Sequence, residues 1–460
     1  MSVVVQPIIE RATAAPRVPA RQRTSARAAS GLHPTAQVLL VATLMAAALA
    51  FGAVEAWAST ALAILTLGGL VLWAIASLRQ GVVRALWSPI YIPALLFLLL
   101  VAVQYFARLT ADRDATREAL LDFAVALVIF GLAGQLFQGG SVTATRRLGL
   151  AVAVFTSALS LFAILQSLSR TSLIYWTVKS PGETFGPYVN RNHYAGLMEM
   201  LIPLTASYAF SRDRSHLPRL MRAAAVLLPI ASVLLSGSRG GLVALVVETA
   251  LVVIGFLALP ANGVGFPGSR RGRRSAAIWF GAVVTAAVAL FFWINPSGFS
   301  TRLWTVASTK QYHEVTATDR VGVMRDSMHM LKDHLWLGVG LGSFETVYPQ
   351  YQSKPSNLTW DHAHNDYVEA AVETGLAGVA LIVITLVMFF GLGFRNLPVR
   401  LGREPEWVQL GATLGCCGLL IHSFVDFNLH VPANAAWFAF CAGLATLPRA
   451  RLLDGRAVTR

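Results

Sequence analysis

Twelve apolar runs, most of them near 20 residues long, leave this chain little choice of fold. They lie at about 36–55, 58–78, 89–107, 119–137, 147–168, 193–210, 221–237, 239–259, 275–294, 367–394, 407–425 and 431–448. Roughly 20 helical residues cross the hydrocarbon core of a bilayer. Every backbone N–H and C=O there must be bonded within the chain, so such runs are helices. Charged residues make up 13% of the 460 residues, against about a quarter in soluble domains. The expected fold is an all-α integral membrane protein with about 12 transmembrane helices.

Lys and Arg placement sets the orientation. With the N-terminus inside, 24 of the 37 basic residues fall on the cytoplasmic side, including Arg270, Arg271, Arg273 and Arg274. Both termini are therefore expected in the cytoplasm. The net charge of +14 then reflects positive-inside loops beside anionic lipid and requires no nucleic acid. The expected organisation is a disordered Arg-rich cytoplasmic tail over 1–35, transmembrane helices 1–9 over 36–294, an extracytoplasmic loop over 295–366, transmembrane helices 10–12 over 367–448, and a cytoplasmic tail over 449–460. The start of the chain is similar to a signal peptide, but the charge alternation needs its apolar run as a retained anchor. Cys416, Cys417 and Cys441 read as small buried residues, without disulfide or metal spacing. A monomer is expected.

The loop at 295–366 is long enough to carry a role. Within it Val321, Met324, Met328, Leu331 and Leu335 recur at helical spacing, which predicts an amphipathic helix that can lie on the lipid surface. Thr318 or Asp319 can cap its start and Gly338 can end it.

Three basic side chains come together by topology at the outer ends of helices: Arg191 in "NRNHYAG", Arg239 in "SGSRGG" and His364 in "HNDYVEAAVETGLAG". Arginine at membrane depth is costly unless it is paired or faces a polar cavity. A helix N-terminus and a guanidinium both favour an anion, and the guanidinium fork matches phosphate oxygens. Asn190 or Asn192 can cap the helix that begins near His193, and Asn365 the helix that begins near His364. Gly375 and Gly378 read as a small pair that lets a neighbouring helix pack closely. The bland alternatives are headgroup-snorkelling arginines and a solvated surface histidine. Two metal readings also arise: His362 and His364 with Asp361 and Asp366, or Asp112 with Asp114. Neither spacing matches a strong metal pattern, so no metal and no cofactor is expected.

At these residues the chain resembles the O-antigen ligase and polymerase family, the Wzy-C-type superfamily. That family's signature is His, then Asn/Ser/Gln, nine residues, Gly, two residues and Gly/Thr/Tyr. His364, Asn365, Gly375 and Gly378 match it in full. The arginine turn "SGSRGG", the segment "NRNHYAG" and the stretch "WLGVGLGSF" at 336–344 are similar as well. The likeness covers roughly residues 185–380. It implies a metal-independent, inverting glycosyltransferase of the bacterial inner membrane, with its active site facing the periplasm. The donor would be an undecaprenyl-pyrophosphate-linked glycan. The acceptor would be lipid A-core for a ligase, or a second lipid-linked glycan for a polymerase. On this sequence the resemblance gives Arg191, Arg239 and Arg320 the pyrophosphate and His364 the role of base, with Arg325 the rival loop arginine. Asn192, His193 and Asn365 would line the substrate site. The loop's balanced charges offer no basic patch for a second pyrophosphate, which favours a ligase. A lipid-linked glycan transporter is the alternative from another class. It would use mid-span acids such as Glu248, but the chain lacks internal repeats.

Overall fold

The computed structural model describes residues 20–79, 86–137, 142–169, 171, 173–180, 182–209, 218–258, 281, 317–353, 360–396 and 404–446. Among them, helices occupy eleven of the twelve apolar runs: α1 (Ala20–Leu49), α2 (Ala56–Arg79), α3 (Tyr91–Phe106), α4 (Arg113–Phe137), α5 (Val142–Leu168), α6 (Arg191–Ala209), α7 (Arg219–Ser236) and α8 (Arg239–Ala258). The 317–353 segment adds α9 (Ala317–Asp333) and the single turn α10 (Phe344–Val347), and α11 (Asp366–Asn396), α12 (Glu404–His422) and α13 (Pro432–Thr446) complete the bundle. Apart from residue 281, the run at 275–294 lies outside the described residues. The only sheet among the described residues is a hairpin of β1 (Leu173–Ile174) and β2 (Val178–Lys179).

Among the described residues, five helical stretches are long and apolar enough to cross a membrane: Leu32–Leu49, Ala56–Arg79, Arg113–Phe137, Thr143–Leu168 and Asp366–Gly393. Their outward faces carry exposed Ile64, Leu67, Leu161, Val383 and Val387, a surface that lipid covers. The protein is an all-α membrane protein. Helix α1 begins at Ala20, inside the stretch expected to be disordered. Ala and Arg, the commonest residues of that stretch, are strong helix formers.

Helix α6 is the axis of the bundle. Every residue from His193 to Thr205 is buried, with α12, α5 and α7 packed around it. Helix α13 is almost wholly buried too, and Trp437 donates its indole N–H to the Leu44 carbonyl at 3.1 Å. Cys416, Cys417 and Cys441 are buried and free, as the sequence implied.

A second, smaller core caps one end of the bundle. Val323, Met330, Val339, Phe344, Tyr348, Trp360, Ala363 and Val372 form it. The buried stripe of α9 is Val323, Asp326, Ser327, Met330 and Leu331, whereas Val321 and Met328 are exposed. The inward face also carries two polar residues, Asp326 and Ser327, that lie outside the apolar stripe read from spacing. The Asp326 carboxylate accepts from Tyr348 Oη and from the Ser353 N–H and hydroxyl.

The cap is fastened to a break in α11. Gly375 has φ 62° and ψ −167°, a conformation open to glycine alone. The strand-like stretch 335–340 lays its backbone against the break. The Val339 and Gly340 N–H groups donate to the Val372 and Glu373 carbonyls, and those of Leu376 and Ala377 donate to Leu335 and Trp336. Gln104 locks the junction by donating to Leu337 and Glu373. A Cβ on Gly375 would collide with the Trp336 backbone, and one on Gly338 with Glu373. The glycine signature therefore serves a helix break and a docked loop, not the helix–helix packing expected from the sequence. Beside Gly378, the space for a Cβ is taken by Thr374 of the same helix. Gly375→Ala is expected to cost about 1–3 kcal/mol of local strain. Limited proteolysis should then cut the 317–353 segment faster than in wild type.

Candidate active site

The capped end gathers the polar residues of the bundle. The "SGSRGG" turn is built by its own chemistry. Gly237 ends α7 in the left-handed conformation, φ 66°. The Ser238 hydroxyl accepts from the Gly241 N–H at 3.1 Å and caps α8. Arg239 is thereby the first residue of α8, and it is exposed. Gly240 lets α8 approach His422 and Val425, so Arg239 stands beside the α12–α13 connection.

That connection, "HSFVDFNLH", supplies the centre of the site. Asp426 is 1% exposed, and its Oδ1 lies 3.7 Å from His364 Nδ1 and 3.8 Å from His193 Nε2. Arg320 of α9 donates from Nη1 to the Val425 carbonyl at 2.8 Å. Burial works against the Asp426 charge, but His364, His193, His422 and Arg320 outweigh it. They hold the carboxyl well below the usual carboxylate range. Among the described residues, His364 Nδ1, His193 Nε2 and Asp426 Oδ2 are buried without a hydrogen-bond partner. Each such buried atom calls for a partner that the chain itself does not supply.

His364 is held under strain. Its φ is +53°, which a non-glycine residue adopts at a cost. Asn365 follows it and caps α11, as expected. Its Oδ1 accepts from the Tyr367 and Val368 N–H groups, while its Nδ2 donates to the Phe424 carbonyl at 2.9 Å. The cap thus fixes His364 against the Asp426 connection. Phe427 packs edge-on to His193 and His364 and stacks on His362, with centroids 4.1 Å apart.

The remaining sequence candidates divide. Asn190 caps α6 by accepting from the Asn192 N–H at 2.8 Å, which delivers His193 to Asp426. Arg191 forms an ion pair with Glu183 and also donates its backbone N–H to the Glu183 carbonyl. An anion at Arg191 has to compete with that carboxylate. Arg320 is at the site, whereas Arg325 is exposed further along α9. Asp112 caps α4, accepting from Asp114 and Ala115 N–H groups, and its other oxygen accepts from Thr346. The Ala115 bond and its neighbours lower its pKa against a small burial penalty. Asp114 is exposed and pairs with Arg117, so of the two carboxylates Asp112 serves as the helix cap. Glu248 is buried against Gly418.

Sequence reasoning missed Asp426, His422 and His430. The Glu199–His422 pair, at 2.8 Å, is buried between α6 and α12. The only signal for them was a run of polar residues at the end of an apolar span, which reads as an ordinary loop. Of the metal set weighed from sequence, His362 falls in a cluster with other partners. It meets Glu369 and His430, residues remote from one another in sequence.

Residues 224–383 match the family model described as O-antigen ligase. That range includes Arg239, Arg320, His364 and the Gly375 break. The exopolysaccharide production protein ExoQ of Rhizobium meliloti (strain 1021) is 32% identical over 150 residues. The match takes in 30% of this chain and 32% of that protein, so about a third of the relative's length is covered. Sequence match and helical membrane architecture agree: over residues 224–383 this chain is similar to the O-antigen ligase family, and over 150 residues to an exopolysaccharide production protein.

Proposed function

We propose that this protein is a lipid-linked glycan transferase. It passes a glycan from undecaprenyl pyrophosphate to an acceptor hydroxyl at the outer face of the bacterial inner membrane. The observation that carries the reading is the meeting of His364, Asp426 and Arg320 beside Arg239. A base, its orienting carboxylate and cationic groups share one end of the bundle.

The chemistry follows from those groups. The Asp426 carboxylate 3.7 Å from His364 Nδ1 favours the ring proton on that nitrogen by its charge, which leaves Nε2 to accept one. His364 takes the proton of the acceptor hydroxyl, and the oxygen attacks the anomeric carbon. The bond from that carbon to the pyrophosphate oxygen breaks on the opposite face, which inverts the configuration. The leaving pyrophosphate gains negative charge, and Arg239 and Arg320 stabilise it without a metal on the reacting atoms. Arg191 acts from the rim, where Glu183 holds it. Asn190 and Asn365 position their neighbours through capping, and Asn192 is held by the Asn190 cap.

Ligase and polymerase differ in the acceptor. The loop carries Arg302, Lys310, Arg325, Lys332 and Lys354 against Glu314, Asp319, Asp326, Asp333, Glu345 and Asp361. This balance favours a ligase, with lipid A-core as acceptor, over a polymerase that must hold a second pyrophosphate. Purified protein given lipid-linked repeat units alone distinguishes them. Chain growth means polymerase; transfer only after a lipid-anchored core is added means ligase. Transport of labelled lipid-linked glycan into vesicles without transfer would replace both with the transporter reading.

The orientation rests on the basic asymmetry of the loops. A cysteine placed at residue 272 should stay shielded from an impermeant thiol reagent in intact cells, and one at 354 should label. The reverse pattern would invert the topology and put His364 in the cytoplasm.

A further inference from the structure

Two imidazoles and a carboxylate that the proposed transfer does not use converge beside the site. His362 Nδ1 lies 2.6 Å from Glu369 Oε1, and His430 Nε2 lies 3.3 Å from the same oxygen. The three ligand atoms all lie within 4.8 Å of one another. A tetrahedral zinc ion with bonds of about 2.1 Å sets its ligands about 3.4 Å apart. The His430–Glu369 spacing already matches, and the His362–Glu369 spacing has to open by less than about 1 Å to meet the same geometry.

The surroundings are those of a metal centre. Ligating histidines almost always donate their other ring N–H to a carboxylate or carbonyl, and ligating carboxylates are themselves hydrogen-bonded. His430 Nδ1 lies 2.9 Å from Asp366 Oδ1, which directs its Nε2 at Glu369. Asp366 is in turn held by the Leu429 N–H. Glu369 Oε2 accepts from the Ala363 N–H at 2.8 Å, leaving Oε1 for the ligand position. The His362 ring is clamped by stacking on Phe427. The His362 and His430 side chains are each 25% exposed, so an ion can reach them.

We propose that His362, Glu369 and His430 form a divalent transition-metal site, a pair of imidazoles with one carboxylate that suits zinc, with Asp366 as its orienting carboxylate. The ion would join three separate pieces of chain: the 360–364 segment, the first turn of α11 and the 428–430 turn. Two of these pieces adjoin or carry His364 and Asp426, so the ion is a structural tie for the candidate active site. It touches no reacting atom of the proposed transfer, and the proposal stands or falls independently of that reading. Its competitor is a proton, because a protonated His430 can bridge Asp366 and Glu369 alone.

The test is cobalt titration of the full-length protein, purified in detergent and stripped with a chelator. One equivalent of cobalt(II) per chain is expected. It should show the intense visible bands of a four- or five-coordinate site and be displaced by zinc(II). Asp366→Asn should weaken binding about 10–100-fold, and His362→Ala and Glu369→Gln should remove it, with circular dichroism reporting the fold. No stoichiometric uptake by the folded wild-type protein overturns the proposal, whether or not any variant folds. Uptake unchanged in folded His362→Ala or Glu369→Gln overturns it equally and marks an adventitious ion.

Discussion

Replacing Arg239 with Ala should lower glycan transfer by about 10²–10³-fold, the range found when one preorganised stabiliser of developing charge is removed. The folded protein should remain in the membrane. Arg239 is exposed at the first position of α8, and the turn that holds it is fixed by Gly237 and the Ser238 cap. Removing the side chain therefore leaves the local structure intact. Arg239→Lys should recover little, because a point charge lacks the bidentate fork. The measurement is transfer by purified protein in nanodiscs, with membrane level checked by immunoblot. Wild-type rates in Arg239→Ala would remove the pyrophosphate from this end of α8.

His364→Ala should reduce turnover by about 10²–10⁴-fold, the usual contribution of a general base, with donor binding little changed. Asp426→Asn should reproduce much of that loss, since it disturbs the ring tautomer and withdraws the charge facing Nδ1. Because the two act as a unit, the double variant should be scarcely worse than His364→Ala. Multiplying losses would mean that Asp426 serves some other step. An equal fall in donor affinity and turnover in His364→Ala would reassign the histidine to binding. Asp426 is buried among His364, His193 and Arg320, so thermal stability must be recorded for Asp426→Asn beside its kinetics.

The arginine turn illustrates how a site can be read from local chemistry. Glycine as helix end, serine as cap and arginine as first residue are decided within one short turn, and each has one favoured structural use. Asn365 as the cap of α11 was legible for the same reason. The loop helix was legible as a helix, but not the polar part of its inward face. Apolar spacing chose Val321 and Met328, whereas the chain buries Asp326 and Ser327 because Tyr348 and Ser353, well along the chain, satisfy the carboxylate. The same limit applies to Gly375. Its spacing from His364 fitted a known signature, but only the partner backbone at 335–340 shows that the signature breaks a helix.

The sequence by itself determined that this is a helical membrane protein, where its helices fall, and which arginines and histidine to weigh as candidates. Hydrocarbon imposes those through run length and the cost of unpaired polar groups, and both are local quantities. Only the tertiary structure decided that Asp426 faces His364, that Glu183 holds Arg191, and that Arg320 and not Arg325 stands at the site. It alone also joined His362 to Glu369 and His430. Each of these is a contact between residues on separate helices or loops. No periodicity or short spacing encodes such a contact, because it exists only once the bundle has packed.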